Sequence, residues 1–84
     1  MSYRIRFTKL AQKDINQLSL KLKAKLQEIL RNRIADNPFD GKSLLGDLEG
    51  YYSVRLTYKD RIVYSIHEDE RVVVVVRAMS YYGD

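Results

Sequence analysis

Arg55, Arg61 and Arg77 lie in segments of alternating polarity in the second half of the chain, and Tyr81 and Tyr82 follow the third of them. A guanidinium stays charged at any physiological pH, and its planar fork can hold two phosphate oxygens at once. Arginines that converge on one sheet face therefore make a phosphate site. A tyrosine can stack its ring on an unpaired base and hydrogen-bond through its hydroxyl, both of use on single-stranded RNA. The competing structural roles are plain: each arginine pairs with a loop carboxylate such as Asp47, Glu49 or Glu68, and the tyrosines finish packing a sheet edge.

Other chemistry is poorly provided for. With no cysteine and a single histidine, His67, the 84-residue chain has no disulfide framework, thiolate zinc site or histidine metal cluster. His67 precedes the acidic turn Glu68-Asp69-Glu70, where a strand-end histidine beside a carboxylate is expected. The glycines fit no phosphate-loop or dinucleotide spacing, and no Ser/His/Asp or Cys/His set is present. The longest apolar run, Val72 to Val76, is far short of the ~20 residues that span a bilayer. Met-Ser-Tyr-Arg-Ile-Arg lacks the apolar segment of a signal peptide, so a cytoplasmic protein is expected.

Charge is unevenly spread. The net charge is +4, but Arg4, Arg6, Lys9, Lys13, Lys21, Lys23, Lys25, Arg31 and Arg33 face only Asp14 and Glu28 in the first third, and the remainder is net acidic. Such polarity suits RNA, DNA or an acidic protein.

The elements that must position these residues can be read from periodicity. Tyr3 to Phe7 alternates apolar with basic, the period of a half-buried strand. Thr8 can cap a helix over about 9–19, whose face carries Ala11, Ile15, Leu18 and Leu22. Leu22, Leu26, Ile29, Leu30 and Ile34 extend helical spacing over about 21–35, with Ser19 near the turn between the helices. Asn37-Pro38 stops the second helix, because the residue before proline is pushed out of the helical region. Residues 37–50 hold the only proline and three of the four glycines, and a loop of that length is expected to serve function. The segments 51–58, 61–67 and 72–79 are rich in β-branched and aromatic residues and read as an antiparallel meander.

The order strand, helix, helix, strand, strand, strand describes one α+β domain over 1–84, with helices covering one sheet face and the other left open. Tyr51, Ser53, Arg55 and Thr57 form the polar set of their strand. Val73, Val75, Arg77 and Met79 are expected to share a face of the last strand, where Arg77 joins Arg55 if the registry agrees. A two-residue Lys59-Asp60 loop would put Arg61 on the face opposite Arg55; a three-residue loop from Tyr58 would bring both to one side.

Tyr-Arg-Ile-Arg-Phe-Thr at the start, then Ala11 and Ile15, then Asn37-Pro38-Phe39-Asp40-Gly41-Lys42 and the motif from Leu48-Glu-Gly-Tyr-Tyr-Ser-Val-Arg to Tyr64 together carry a resemblance. In that order and at that length the chain resembles the RelE/ParE superfamily of bacterial toxins, most closely the RelE and YoeB-like ribosome-dependent mRNA interferases. The resemblance implies an antiparallel four-stranded sheet in β-α-α-β-β-β order, with two N-terminal helices packed on one face and a concave RNA-binding face opposite. It also implies endoribonuclease chemistry without metal or cofactor: a ribonucleotide 2′-hydroxyl of mRNA in the ribosomal A site attacks the adjacent phosphate while basic residues stabilise the developing charge.

On the YoeB-like pattern, Arg55 and Arg61 match the arginines that hold the scissile phosphate, which favours the three-residue hairpin. Lys42 matches a basic loop position, and Tyr82 falls where a tyrosine orients or stacks the nucleotide. Lys42, Lys59 and Arg77 are the implied RNA-binding residues, with Lys42 and Lys59 also able to share acid/base work. The sequence departs from the pattern where Tyr81 replaces the general-acid histidine, since an ordinary tyrosine pKa of ~10 makes it a poorer donor near neutrality. On the RelE pattern two catalytic lysines become Ser53 and Arg55, and Glu49 lies near, but does not align with, the YoeB glutamate base.

The implied partners are a small acidic antitoxin, the ribosome and mRNA, with operator DNA reached only through the antitoxin complex and no membrane. Two alternatives remain open on sequence alone: a ParE-like toxin that poisons DNA gyrase without cutting RNA, and a chain that serves chiefly as co-repressor partner of a DNA-binding antitoxin.

Overall fold

The computed structural model describes residues 2–80. Strand β1 (Arg4–Phe7) leads into helices α1 (Lys9–Asn16) and α2 (Leu20–Ile29), followed by strands β2 (Lys42–Ser43), β3 (Tyr51–Arg55), β4 (Asp60–His67) and β5 (Val72–Ser80). The α+β layout is the expected one, but the sheet differs in detail. It has five strands in the order β1-β5-β4-β3-β2 and is mixed, because β1 runs parallel to β5. Alternation in β1 marks a strand without marking its direction, and β2 is too short to show a period; it forms where the 37–50 loop passes β3.

Each helix starts on a side-chain cap. Thr8 Oγ1 accepts the Ala11 N–H at 3.0 Å, and Ser19 Oγ accepts the Leu22 N–H at 3.2 Å. Such caps satisfy one of the amides left unpaired at a helix start, each worth about 1 kcal/mol. The Ser19 cap is why α1 stops short of residue 19. Gln17 and Leu18 close the helix with bonds back to the Asp14 and Ile15 carbonyls, freeing Ser19 to begin α2. Past Ile29 the helix continues as one wider π turn, Leu30–Ile34, in which the Ala35 N–H reaches the Leu30 carbonyl at 2.8 Å.

The core lies between this helical layer and one face of the sheet. Ala11, Leu26, Leu30 and Ile34 pack with Val54, Leu56, Ile62, Tyr64, Val73, Val75 and Ala78. Burying a leucine or isoleucine of this kind contributes about 1.5–3 kcal/mol. Tyr64 is fully enclosed, so its hydroxyl needs a partner, and it donates to the Pro38 carbonyl at 2.7 Å. Burial pushes its pKa up to about 12, keeping it a donor across the physiological range. The same bond fixes the 37–43 segment against the sheet. A Cβ added at Gly41 would collide with the Tyr64 hydroxyl and lie 2.9 Å from the Ser53 carbonyl.

Strand β5 contains a register shift. Val63 faces Arg77 while Tyr64 faces Val75, leaving Val76 as an extra residue. Such a bulge changes which face the following side chains occupy. Val73 and Val75 are wholly buried in the core, whereas Arg77 and Met79 lie on the other face, so these four do not share a face as strict alternation predicts. Where β1 ends, α1 takes over the edge of β5. Thr8 N–H bonds the Val75 carbonyl at 3.1 Å, Thr8 Oγ1 bonds that of Val76 at 3.3 Å, and Asp14 accepts the Ala78 N–H at 3.0 Å.

The Asp14 carboxylate also pairs with the Arg77 guanidinium at 2.8 Å. Burial alone would raise its pKa, but the Arg77 and Ala78 donors outweigh that and hold it below the ordinary 3.8. A carboxyl depressed in the folded state stabilises above its unfolded pKa, and the contribution is lost as pH falls through the folded value. Asp14→Ala is expected to cost about 2 kcal/mol near neutral pH, a penalty that shrinks as pH drops below 3.8 in urea unfolding monitored by circular dichroism. Gly41→Ala is expected to cost about 1–3 kcal/mol through overpacking, read as a lower unfolding midpoint in the same assay.

Candidate nucleic-acid interface

The face of the sheet away from the helices can be built row by row from the strand register. Arg55 of β3 lies directly opposite Arg61 of β4, which lies opposite Met79 of β5. The next row runs Lys42, Ser53, Val63, Arg77. Beyond the bulge come Tyr51, Ser65, Val74 and Arg6, and then His67, Val72 and Arg4. Among the described residues, none of these positions on the open face is occupied by Asp or Glu. The face is cationic throughout, over a floor of small and apolar side chains.

Arg55 and Arg61 therefore share one side, but neither anticipated hairpin produces this. The strands separate after the Arg55–Arg61 pair, leaving 56–60 as a longer connection. Leu56 is buried beneath it, and both the Leu56 and Thr57 N–H groups bond the Asp60 carbonyl, at 2.8 and 3.2 Å. Thr57 Oγ1 donates to Asp60 Oδ2 and accepts the Asp60 N–H, both at 2.9 Å. These bonds fix the connection, and with it the arginine pair. Directly opposed residues in an antiparallel pair are about 4.5–5.5 Å apart at Cα, and two like charges so placed repel. A bound anion removes that repulsion, and Arg55 makes no ion pair among the described residues.

The remaining predicted residues are dispersed. Lys42 is exposed, one row from Arg55. Arg77 reaches the open face through the bulge, yet its guanidinium is held by Asp14 at its margin. Lys59 is at the hairpin tip and lines, with Asp14, Asp60 and Met79, a cleft of about 350 Å³ beside the α1–α2 turn. It thus stands apart from Lys42. Tyr81 and Tyr82 lie outside the described residues. His67 shares a hydrogen bond of 3.0 Å with the Ser65 hydroxyl rather than with a carboxylate.

Ser53 is the residue that sequence reasoning undervalued. It is 1 % exposed, and its hydroxyl has no hydrogen-bond partner, a defect that costs about 1–3 kcal/mol. It lies between Lys42 and Val63 and beside Arg55, so the orphaned donor belongs to the candidate site. Alternation placed it on this face; nothing in the sequence could show that it would be buried and unpaired. A larger cavity, about 520 Å³, lies elsewhere, between Phe39, Tyr52, Ile66 and the Glu68–Glu70 turn, and its acidic rim is unsuited to a phosphate.

Comparison with known proteins follows the same lines. A family model described as the ParE toxin of the type II toxin-antitoxin system, parDE, matches residues 5–80. Toxin RelG of Mycobacterium tuberculosis is 33 % identical over 79 residues, covering 92 % of this chain and 88 % of that one. The RelBE2 toxin-antitoxin complex of the same organism contains a chain similar at a TM-score of 0.86 and 28 % identity, over 95 % of this chain and 99 % of the other. A YoeB/ParE toxin from Agrobacterium tumefaciens shares the fold at a TM-score of 0.83 and 24 % identity, over 94 % and 99 % of the two chains.

Ser53→Ala removes the orphaned hydroxyl without leaving a large void. Thermal unfolding is expected to show stability unchanged or raised by up to about 1 kcal/mol; a clear loss would mean that the hydroxyl is satisfied in the folded protein. With the family model spanning nearly the whole described chain, and a curated relative above thirty per cent identity, the chain belongs to the ParE toxin family of type II toxin–antitoxin systems, within the RelE/ParE superfamily.

Proposed function

We propose that this toxin is a ribosome-dependent mRNA endoribonuclease that inhibits translation from the cytoplasm. The observation that carries the reading is the direct opposition of Arg55 and Arg61 on a face whose described register positions hold no carboxylate. Two adjacent guanidinium groups complement the phosphate of the scissile linkage. They do so most strongly in the transition state, where negative charge on its oxygens is greatest.

The 2′-oxygen of the upstream ribose bonds to phosphorus as its proton departs, and the bond from phosphorus to the 5′-oxygen of the next nucleotide breaks as that oxygen takes up a proton. The products are a 2′,3′-cyclic phosphate and a 5′-hydroxyl. Arg55 and Arg61 hold the non-bridging oxygens, and Lys42 supplies further positive charge from the neighbouring row. Tyr82 orients the nucleotide, and Tyr81 and Tyr82 share proton transfer with Lys42 or Lys59. Arg77 meets a phosphate only by giving up part of its bond to Asp14. Ribosomal positioning of the mRNA supplies the alignment, a contribution that can be large when reactants are held in attack geometry.

The partner is an acidic antitoxin, in keeping with the toxin–antitoxin complex in which the RelBE2 relative was solved, and operator DNA is reached through that complex. The cationic face and the basic first third are the surfaces an acidic chain would recognise. A second reading, a ParE-like toxin that poisons DNA gyrase and cuts nothing, is favoured by the name of the matching family model.

In a reconstituted translation reaction, wild-type toxin is expected to cut ribosome-bound mRNA, with Arg55→Ala and Arg61→Ala each slower by about 10²-fold and Tyr82→Phe also reduced. Equal cleavage by all four proteins would remove the site assignment. Growth arrest and loss of gyrase supercoiling without mRNA cleavage would establish the second reading.

A further inference from the structure

We infer that Arg4 and Arg6 form a second phosphate-binding strip, continuous with the Arg55–Arg61 pair, along which a single RNA strand lies diagonally across the open face. The inference rests on the proposed reading of that face as an RNA surface and extends it to residues at the far edge of the sheet.

The parallel register of β1 on β5 pairs Arg4 with Val72 and Arg6 with Val74. Ile5 between them packs against the core, so both arginines must point to the open side. Both are exposed, and neither makes an ion pair among the described residues. Residues two apart on a strand repeat at about 6.6 Å, close to the step between successive phosphates of an extended single strand. Ser65, in the row of Arg6, lies about 13 Å along β4 from Arg61, and β1 is about 10 Å across the sheet from β4. A few nucleotides bridge that diagonal.

What lies under the diagonal suits a nucleic acid. Val74 offers an apolar floor and Ser65 a hydroxyl, and Tyr51 stands beside Ser65 on β3, to one side of the path. An edge strand also gains from charge, because it discourages pairing with another edge. Either sign would serve that purpose, whereas here both charges are positive and continue a cationic face. The acidic turn Glu68–Glu70 lines a cavity with Tyr52, Phe39 and His67, at the end of the sheet farthest from Arg55 and Arg61.

The test is the salt dependence of binding of a short fluorescent oligouridylate to the isolated, full-length toxin. Each phosphate contact on a single strand contributes about 0.7 to the slope of log affinity against log salt. Arg4→Gln/Arg6→Gln is expected to make the slope shallower by about 1.4 with unchanged thermal unfolding. Lys21→Gln/Lys23→Gln, which removes the same charge from α2, should leave the slope unchanged.

A wild-type slope in the Arg4/Arg6 variant, alongside a shallower one in Arg55→Gln/Arg61→Gln, would overturn the strip and leave the RNA reading standing. No binding by the wild type, or no change in either arginine variant, would overturn both. An equal change in the α2 variant would reduce the effect to net charge and overturn the strip. Loss of affinity for an acidic peptide such as oligoglutamate, with RNA binding intact, would assign these arginines to a protein partner instead.

Discussion

The extra residue in β5 is the constraint on which the two faces of this sheet depend. A run of five valines has no alternation of its own, and a regular strand would continue Val73 and Val75 into the core through position 77. An unpaired guanidinium there would cost several kcal/mol. The bulge at Val76 instead returns Ala78 to the core and turns Arg77 and Met79 outward. It also leaves backbone groups that β1 is too short to satisfy. Thr8 and Asp14 bond them, tying the helical layer to the strand just where its pairing changes.

This arrangement separates the charges by function. Asp14 sits at the margin, where its carboxylate bonds one arginine and one backbone amide. The Arg55–Arg61 pair has no carboxylate opposite it in the register. A phosphate at about 4 Å from such a charge gains about 4 kcal/mol at a surface-like dielectric, far more than the repulsion between the arginines costs. Rigid strands, a hydrogen-bonded hairpin and a segment pinned through Tyr64 supply the scaffold. Positive charge on this face is therefore fixed before any ligand arrives, which is what electrostatic stabilisation requires.

Much of this was legible in the residues. Alternation identified β1 and the polar set Tyr51, Ser53, Arg55, and helical spacing identified the faces of α1 and α2 together with the Thr8 cap. What escaped depends on long-range pairing. The direction of β1 is set by its partner sixty-eight residues away, β2 exists only because β3 is beside it, and the Val76 bulge hides in a uniform apolar run. The candidate site was legible in its residue types. Its assembly was not, because the Arg55–Arg61 pairing depends on a connection longer than either hairpin considered. Arg4 and Arg6 were visible as charge, but only the register of β1 places them on the same face as Arg55.

The late position of β5 also imposes an order on synthesis. It is an interior strand, bonded to β1 on one side and β4 on the other, yet it is the last described strand to leave the ribosome. Until it emerges, β1 has no partner, the helices lack much of the surface they cover, and β4 presents an open edge. Non-local pairing of this kind closes only after the intervening chain exists. A nascent chain that stops before β5 therefore cannot display a completed cationic face, and the protein acquires its working surface in one step, when that strand docks.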